Sequence, residues 1–402
     1  MGRILHIGVG NFARAHLAEY TADAGGWRIT GVSLRSAAVR DGLRAAGHKY
    51  ALAVQGRGVR RIGVFDEVLV APEDPGAVLA RIADPEVAVI TLTVTEKGYH
   101  LGGDGRLDLD DAAIVADLAG GAPRTVIGYL ARGLAARRAP VTVLSCDNLA
   151  GNGARLGAAV AAFGEAAGLP PLGGFIGFPS AMVDRITPAT TDALRAETGC
   201  PMAVATEPFR EWVIEDAFAG PRPDWPGVQI VPDVAPYEMR KLRMLNGAHS
   251  LLAYAGTLAG HAHVHEAVGD ADLRGRVDAL MTQTAQTLPA EMQDAAAGYA
   301  RALMQRFENP HLAHKLRQIA MDGSQKLPHR IVAPLRELVA SGKDASALHA
   351  ALEAWLGFCR AEVAAEQPLE DPRHEEITRL ITAGAPDSAL LGVIGAADLA
   401  RD

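Results

Sequence analysis

The sequence predicts an α/β fold, a doubly wound, mostly parallel sheet followed by an all-helical C-terminal domain. Three observations carry that prediction. The chain opens on an apolar strand, a glycine turn and a helical pattern. Short apolar runs bounded by turn residues then alternate with helical segments. From Pro236 onward strand signals nearly vanish, and periodic Ala-, Leu- and charge-rich segments cover 238–260, 265–284, 291–306, 310–321, 328–341, 344–364 and 373–382. The expected domains are therefore 1–230, a dinucleotide-binding unit, and 231–402, a helical substrate and catalytic unit.

The first strand is RILHIGV, and the turn after it reads Gly8-Val9-Gly10-Asn11-Phe12-Ala13 before the helical ARAHLAEYTADA. Glycines there permit a tight turn and close approach to a pyrophosphate, which a helix N-terminus favours electrostatically. Gly8, Gly10, Asn11, Phe12 and Ala13 are the expected cofactor contacts. The second strand, Trp27 to Leu34, is followed by Arg35 and Ser36. Sites that prefer NAD usually place an acidic residue at this point to bind the ribose hydroxyls. An arginine can accept a 2′-phosphate, so NAD and NADP both stay open, and a solvated surface arginine reads the same way. Residues 59–70 alternate like strands, and Val87 to Val94 reads as a buried parallel strand ending in Thr95-Glu96-Lys97-Gly98-Tyr99. Ligands of such sheets sit beyond the carboxyl ends of the strands. Thr93, Thr95 and Asn148 (after the strand Val141 to Ser145) are therefore candidates, although ordinary turn and capping chemistry also uses these residue types. Asp184 and Arg185 sit in an apolar stretch; their spacing favours a structural ion pair over a proton relay.

Glu238 to His249 reads as the first turns of an apolar-faced helix. At about 100° per residue, His249, Asn246 and Glu238 lie roughly 80°, 140° and 60° round the helix from Lys241. One sector then displays a carboxylate, an amine, an amide and an imidazole. A lysine with a lowered pKa can take a hydroxyl proton, an amide N–H can hold the alkoxide-like oxygen, and an imidazole can orient a sugar hydroxyl. Solvated Lys and Glu at a helix start would look alike one at a time; four on one arc favour chemistry.

The bounds agree with a globular enzyme. At 402 residues the chain exceeds one ordinary core, and 49% hydrophobic with 21% charged residues is a globular composition. A net charge of −8 argues against a nucleic-acid surface. Cys146, Cys200 and Cys359 form neither a disulfide framework nor a metal knuckle, so no metal and a reducing, cytoplasmic setting are expected. No apolar run approaches about 18 residues, so no membrane span is expected, and a core strand at Ile4 to Val9 leaves no room for a signal peptide.

The chain resembles the mannitol dehydrogenase family of polyol-specific long-chain dehydrogenases, over nearly its whole length. The resemblance rests on HIGVGNFARAH (6–16), TVTEKGY (93–99), SCDNLAGNG (145–153), FPSAMVDRITP (178–188), EPFREWVIED (207–216), KLRMLNGAH (241–249) and DGSQKLP (322–328). It implies an extended Rossmann domain, a helical domain after it, and an active site in the cleft between them. It implies further that Lys241 is the general base, that Asn148 and Asn246 stabilise the oxyanion, and that His249 orients substrate. Glu238 is implied in proton transfer around the lysine, and the match moves Asp184 from structural toward functional. No metal is implied, and monomers are common in the family. DGSQKLPHR has the form of the uronate-reducing branch as well as of some polyol enzymes, so Lys326 or Arg330 can pair with a substrate carboxylate.

The expected activity is hydride transfer between NAD(P) and a secondary alcohol of an open-chain polyol, with a sugar acid as the alternative substrate. Three rivals are weaker. Tyr237-x-x-x-Lys241 imitates the catalytic pair of the much shorter short-chain dehydrogenases. A zinc alcohol dehydrogenase needs Cys and His ligands that this chain does not assemble, and a non-enzymatic dinucleotide sensor has little use for the polar arc at 238–249.

Overall fold

A computed structural model describes residues 1–312 and 314–400, and the chain divides into two compact units, Met1–Ala235 and Pro236 onward. In the first unit the strands are β1 (Gly2–Ile7), β2 (Trp27–Ser33), β3 (Tyr50–Val54), β4 (Gly58–Ile62), β5 (Phe65–Val70) and β6 (Val87–Leu92). They continue with β7 (Val141–Ser145), β8 (Ile176–Gly177), β9 (Ala181–Asp184), β10 (Val204–Thr206), β11 (Glu211–Glu215) and β12 (Gln229–Val231).

The central sheet has six strands in the order β5-β2-β1-β6-β7-β8, every neighbouring pair parallel. Apolar residues cover both of its faces. Along β1, Ile4 packs into one cluster with Ile29, Val68, Val89 and Leu144, while Leu5 and Ile7 pack into a second with Val32, Ile90, Leu92 and Val143. Burial on two faces is why these strands read as continuous apolar runs rather than alternating ones. The order reverses at β1, where one neighbour is β2 and the other β6, and the turn Gly8–Gly10 leaves the carboxyl end of β1 at that switch. Two three-stranded sheets, β10-β3-β4 and β12-β11-β9, complete the unit.

Several helices of the first unit start on side-chain caps. Asp74 accepts from Ala77 N at 2.8 Å ahead of Pro75, and Thr125 Oγ1 accepts from Gly128 N at 3.0 Å to start Val126–Ala136.

The second unit is helical around one core that includes Met244, Leu251, Leu252, Tyr254, Leu280, Leu335 and Trp355. Here the structure corrects two sequence expectations. Residues 322–327, left between the expected helices 310–321 and 328–341, are instead occupied by the helix Gly323–Leu327, which runs into a wide helical turn at Pro328–Val332. Asp-Gly and Leu-Pro read as breakers, but proline is tolerated where its missing N–H is not needed. The expected helix 310–321 shrinks to Leu316–Ala320. Among the described residues no helix is long and apolar enough to cross a membrane.

Candidate active site

The glycine turn has the geometry of a backbone cradle. Gly8 sits at φ +99°, and a Cβ placed on it would lie 2.4 Å from the carbonyl oxygen of Thr93, so only glycine fits. The Gly10 N–H donates to Gly8 O at 2.7 Å, and the helix Asn11–Ala15 starts at once. That helix breaks at His16 and resumes as Leu17–Ala24, so the helical run expected over 13–24 is two pieces. The turn is clamped from below. Thr93 Oγ1 donates to Gly8 O at 2.6 Å, and His6 Nε2 lies 3.1 Å from both Gly8 O and Thr93 Oγ1. His6 Nδ1 is 2.8 Å from Thr91 Oγ1. Burial lowers the His6 pKa to about 4, so the ring is neutral and acts as a structural hydrogen-bonding post. His6 and Thr91 carry no motif signal; in sequence they look like strand residues.

Of the expected contacts, Gly8, Gly10, Arg35, Thr93 and Thr95 line one cavity of about 410 Å³. Asn11 and Ala13 do not line it. Asn11 spends its side chain on Thr190 Oγ1 (3.2 Å) and on Arg14 Nη2 (2.6 Å), and Ala13 is fully buried. Phe12 stacks on His16 at 4.9 Å and lines a neighbouring cavity of about 650 Å³ with Thr93, Thr95, Asp147 and Asn148. The close backbone and the absence of a Cβ at Gly8 fit a dinucleotide pyrophosphate in this groove.

Sequence reasoning missed what holds the strand ends together. Asp147 Oδ2 accepts from Tyr99 OH at 2.6 Å and from Ser145 Oγ at 3.0 Å. Burial raises the Asp147 pKa to about 7 against the opposing pull of these hydrogen bonds and one from the Val94 backbone. One carboxylate thereby ties the TEKGY turn to the SCDN turn. Asn152 fastens the second turn from the other side, its Nδ2 donating to Asp147 O (3.1 Å) and Ala181 O (2.8 Å). Asn148, next to this clamp, is exposed at the cavity rim.

Asp184 ends β9 and is 4% exposed. The expected ion pair with Arg185 is not formed. Arg185 bonds instead to Glu19, to Ala15 O and to Glu207 O, because neighbouring strand residues point to opposite faces.

In the second unit, Ala235–Arg240, Lys241–Asn246 and Gly247–Leu258 form one uninterrupted helical run, and its middle segment is a π turn. This changes the angular reading. In a turn closed by i→i+5 hydrogen bonds, residues five apart become offset neighbours, as residues four apart are in an α-helix, so Asn246 falls much nearer the Lys241 face than the about 140° of a regular helix. Glu238 and His249 each stand three residues outside this pair, within about 60° of it. Lys241, Asn246 and Glu238 are half-buried, while His249 is 8% exposed. Arg243 anchors the turn with two 2.6 Å bonds to Glu337 and one of 2.7 Å to Thr287 O.

His249 lies 4.8 Å from the Phe307 ring and 5.4 Å from that of His314. Burial, with like charge from His314, Arg306 and Arg330, lowers its pKa well below the usual value, so it orients or donates as a neutral ring. Arg330 Nη1 donates at 3.3 Å to Oγ of Ser250, the residue next to His249. Lys326 does something else. Its Nζ donates to Met321 O at 2.6 Å and sits 3.7 Å from Asp322, at the end of the helix Leu316–Ala320. That is helix capping, and it engages the ammonium group expected for a substrate carboxylate. Among the described residues no group of three or more His, Cys, Asp or Glu is arranged to hold a metal ion.

Comparison with known proteins follows both units. Residues 2–227 match the mannitol dehydrogenase Rossmann domain and residues 233–392 the mannitol dehydrogenase C-terminal domain. A mannitol 2-dehydrogenase of Pyrenophora tritici-repentis is 37% identical over 93% of this chain and 72% of its own length. D-mannonate oxidoreductase of Escherichia coli is 40% identical over 89% of this chain and 79% of its own. The solved ternary complex of Pseudomonas fluorescens mannitol 2-dehydrogenase with NAD and D-mannitol superposes with a TM-score of 0.81 at 34% identity, covering 98% of this chain and 88% of that one. With a parallel Rossmann sheet, a helical C-terminal unit and matches to both family domains, this chain belongs to the mannitol dehydrogenase family of oxidoreductases.

Proposed function

We propose that the chain catalyses reversible hydride transfer between a nicotinamide dinucleotide and one secondary alcohol carbon of an open-chain sugar alcohol. The observation that carries this reading is the π turn at Lys241–Asn246, whose wider register brings Asn246 round toward the Lys241 face of a helical run that also carries Glu238 and the neutral His249. The groove at Gly8, Gly10 and Thr93 holds the dinucleotide, which supplies the hydride acceptor at its nicotinamide end. Lys241, uncharged, takes the hydroxyl proton. Asn246 donates an N–H to the oxygen as charge develops on it, and the neutral His249 orients a neighbouring hydroxyl. Glu238, three residues before the lysine, passes its proton outward. Asn148 and Asp184 belong to the other unit, and they enter this reading through the family resemblance. The substrate is a small molecule handled by a monomer in the cytoplasm, a setting consistent with three free, buried cysteines.

A second reading, a sugar acid as substrate, is favoured by two observations. D-mannonate oxidoreductase is 40% identical, and the charged groups acting on His249 are all cationic, Arg306 and Arg330 among them. Arg330 then holds the substrate carboxylate, the role that Lys326 is too engaged to fill. A panel of polyols and aldonates, assayed with NAD and NADP in parallel, tests both. Turnover of mannitol, arabinitol or sorbitol supports the first reading and turnover confined to aldonates the second; no oxidation of either class with either cofactor contradicts both.

A further inference from the structure

We infer that the adenosine end of the dinucleotide groove carries a 2′-phosphate subsite made by Arg35 and Arg124, so that this chain takes NADP(H) in preference to NAD(H). The inference rests on the dinucleotide reading above and deepens it.

Four observations converge. First, the tip after β2 is Leu34-Arg35-Ser36, folded back by a 2.6 Å bond from Ser33 Oγ to Ser36 O. This is where a carboxylate accepts the ribose hydroxyls in NAD sites, and an arginine stands there instead. Second, Arg35 and Arg124 line the same cavity as Gly8 and Gly10, and no Asp or Glu lines it. Third, a second cavity of about 550 Å³ shares Leu34 and Arg124 with the first and is lined by Ala71, Pro72 and Tyr129. A flat apolar base fits that recess, which puts the ribose at the junction formed by Leu34 and Arg124, with Arg35 next along the chain from Leu34. Fourth, Asp41 of the helix after β2 and Glu73 of the segment after β5 are already neutralised, and Asp74 caps the helix that starts at Pro75. Asp41 and Glu73 both bond to Arg40, Asp41 at 2.8 Å.

Neither the Arg35 nor the Arg124 guanidinium has a hydrogen-bond or ion-pair partner among the described residues; Arg124 is tied down by its backbone N–H, which donates to Asp117 at 2.8 Å. Two uncompensated guanidinium groups in a carboxylate-free groove match a dianionic phosphate with three acceptor oxygens. They offer no acceptor to the free 2′-hydroxyl of NAD, because arginine only donates.

Isothermal titration of the intact chain with NADPH, NADH, adenosine 2′,5′-bisphosphate and 5′-AMP tests this without reference to turnover. NADPH is expected to bind at least about tenfold more tightly than NADH, and the bisphosphate more tightly than AMP, with both gaps narrowing as salt is raised. Arg35→Ala and Arg124→Ala should each close most of the gap by weakening NADPH far more than NADH. NADH binding as tightly as NADPH, or variants that weaken the two cofactors equally, would overturn the subsite alone. Binding of neither dinucleotide would overturn the subsite and the proposed function together.

Discussion

At the scale of single residues, two buried groups make opposite uses of desolvation. His249 is kept neutral, so its titration contributes nothing to a pH–rate profile in the neutral range. His249→Ala is expected to weaken substrate binding and slow turnover, by less than loss of the lysine does. Unchanged KM and kcat on every substrate would remove this imidazole from the site. Asp147 is the reverse case. Its folded pKa, about 7, stands above the ordinary 3.8, so its stabilising contribution is complete below about 3.8 and is lost as pH rises toward 7. Asp147→Asn stays neutral and still accepts from Tyr99 and Ser145. It should therefore gain on the wild type by about 2–3 kcal/mol between about pH 5 and pH 8. Urea unfolding at the two pH values measures this, and a gap that does not change with pH would contradict it. Gly8 is the residue most legible in the sequence. Its positive φ and the Thr93 carbonyl 2.4 Å from a would-be Cβ leave no other residue type. Gly8→Ala should cost about 1–3 kcal/mol of stability and most of the dinucleotide affinity, checked by thermal melts and titration.

At the scale of elements, local chemistry decides which of them could be read in advance. Strand, glycine turn and helix at the N-terminus were legible because glycine and apolar runs encode them directly. The π turn was not. An i→i+5 register is fixed by what the turn packs against, and here Arg243 reaches out of it to Glu337 and Thr287. The angular arithmetic of a regular helix consequently placed Asn246 well round from Lys241, whereas the widened turn brings it nearer. Arg243→Ala should cost about 1–3 kcal/mol, a range set by losing charged hydrogen bonds to a half-exposed Glu337. If its stability is unchanged by chemical denaturation, the anchor is not what holds the turn. The clamp of Tyr99, Ser145 and Asp147 also escaped sequence reading. Its members lie up to 48 positions apart, and only the parallel pairing of β6 and β7 brings them together.

At the scale of the whole molecule, the change of periodicity from Pro236 onward is legible in the sequence; the boundary expected from it is 230/231, and the two compact units meet at Ala235 and Pro236. The six-strand order and the two small sheets of the first unit were beyond reach, since strand order depends on crossovers that composition does not encode. Because the dinucleotide groove belongs to Met1–Ala235, a bound dinucleotide stabilises that unit by mass action. At a hundredfold excess over Kd the gain is about 2.7 kcal/mol, enough to move its thermal transition by a few degrees in a calorimetric scan. The absence of any shift at saturating cofactor would count against the groove.

Whether an uncharged Lys241 removes the hydroxyl proton is decided by single-turnover hydride transfer with Lys241→Ala. The expected result is a loss of roughly 10²–10⁴-fold in the rate of cofactor reduction, with dinucleotide affinity preserved. A variant that binds cofactor normally and transfers hydride at close to the wild-type rate would contradict it.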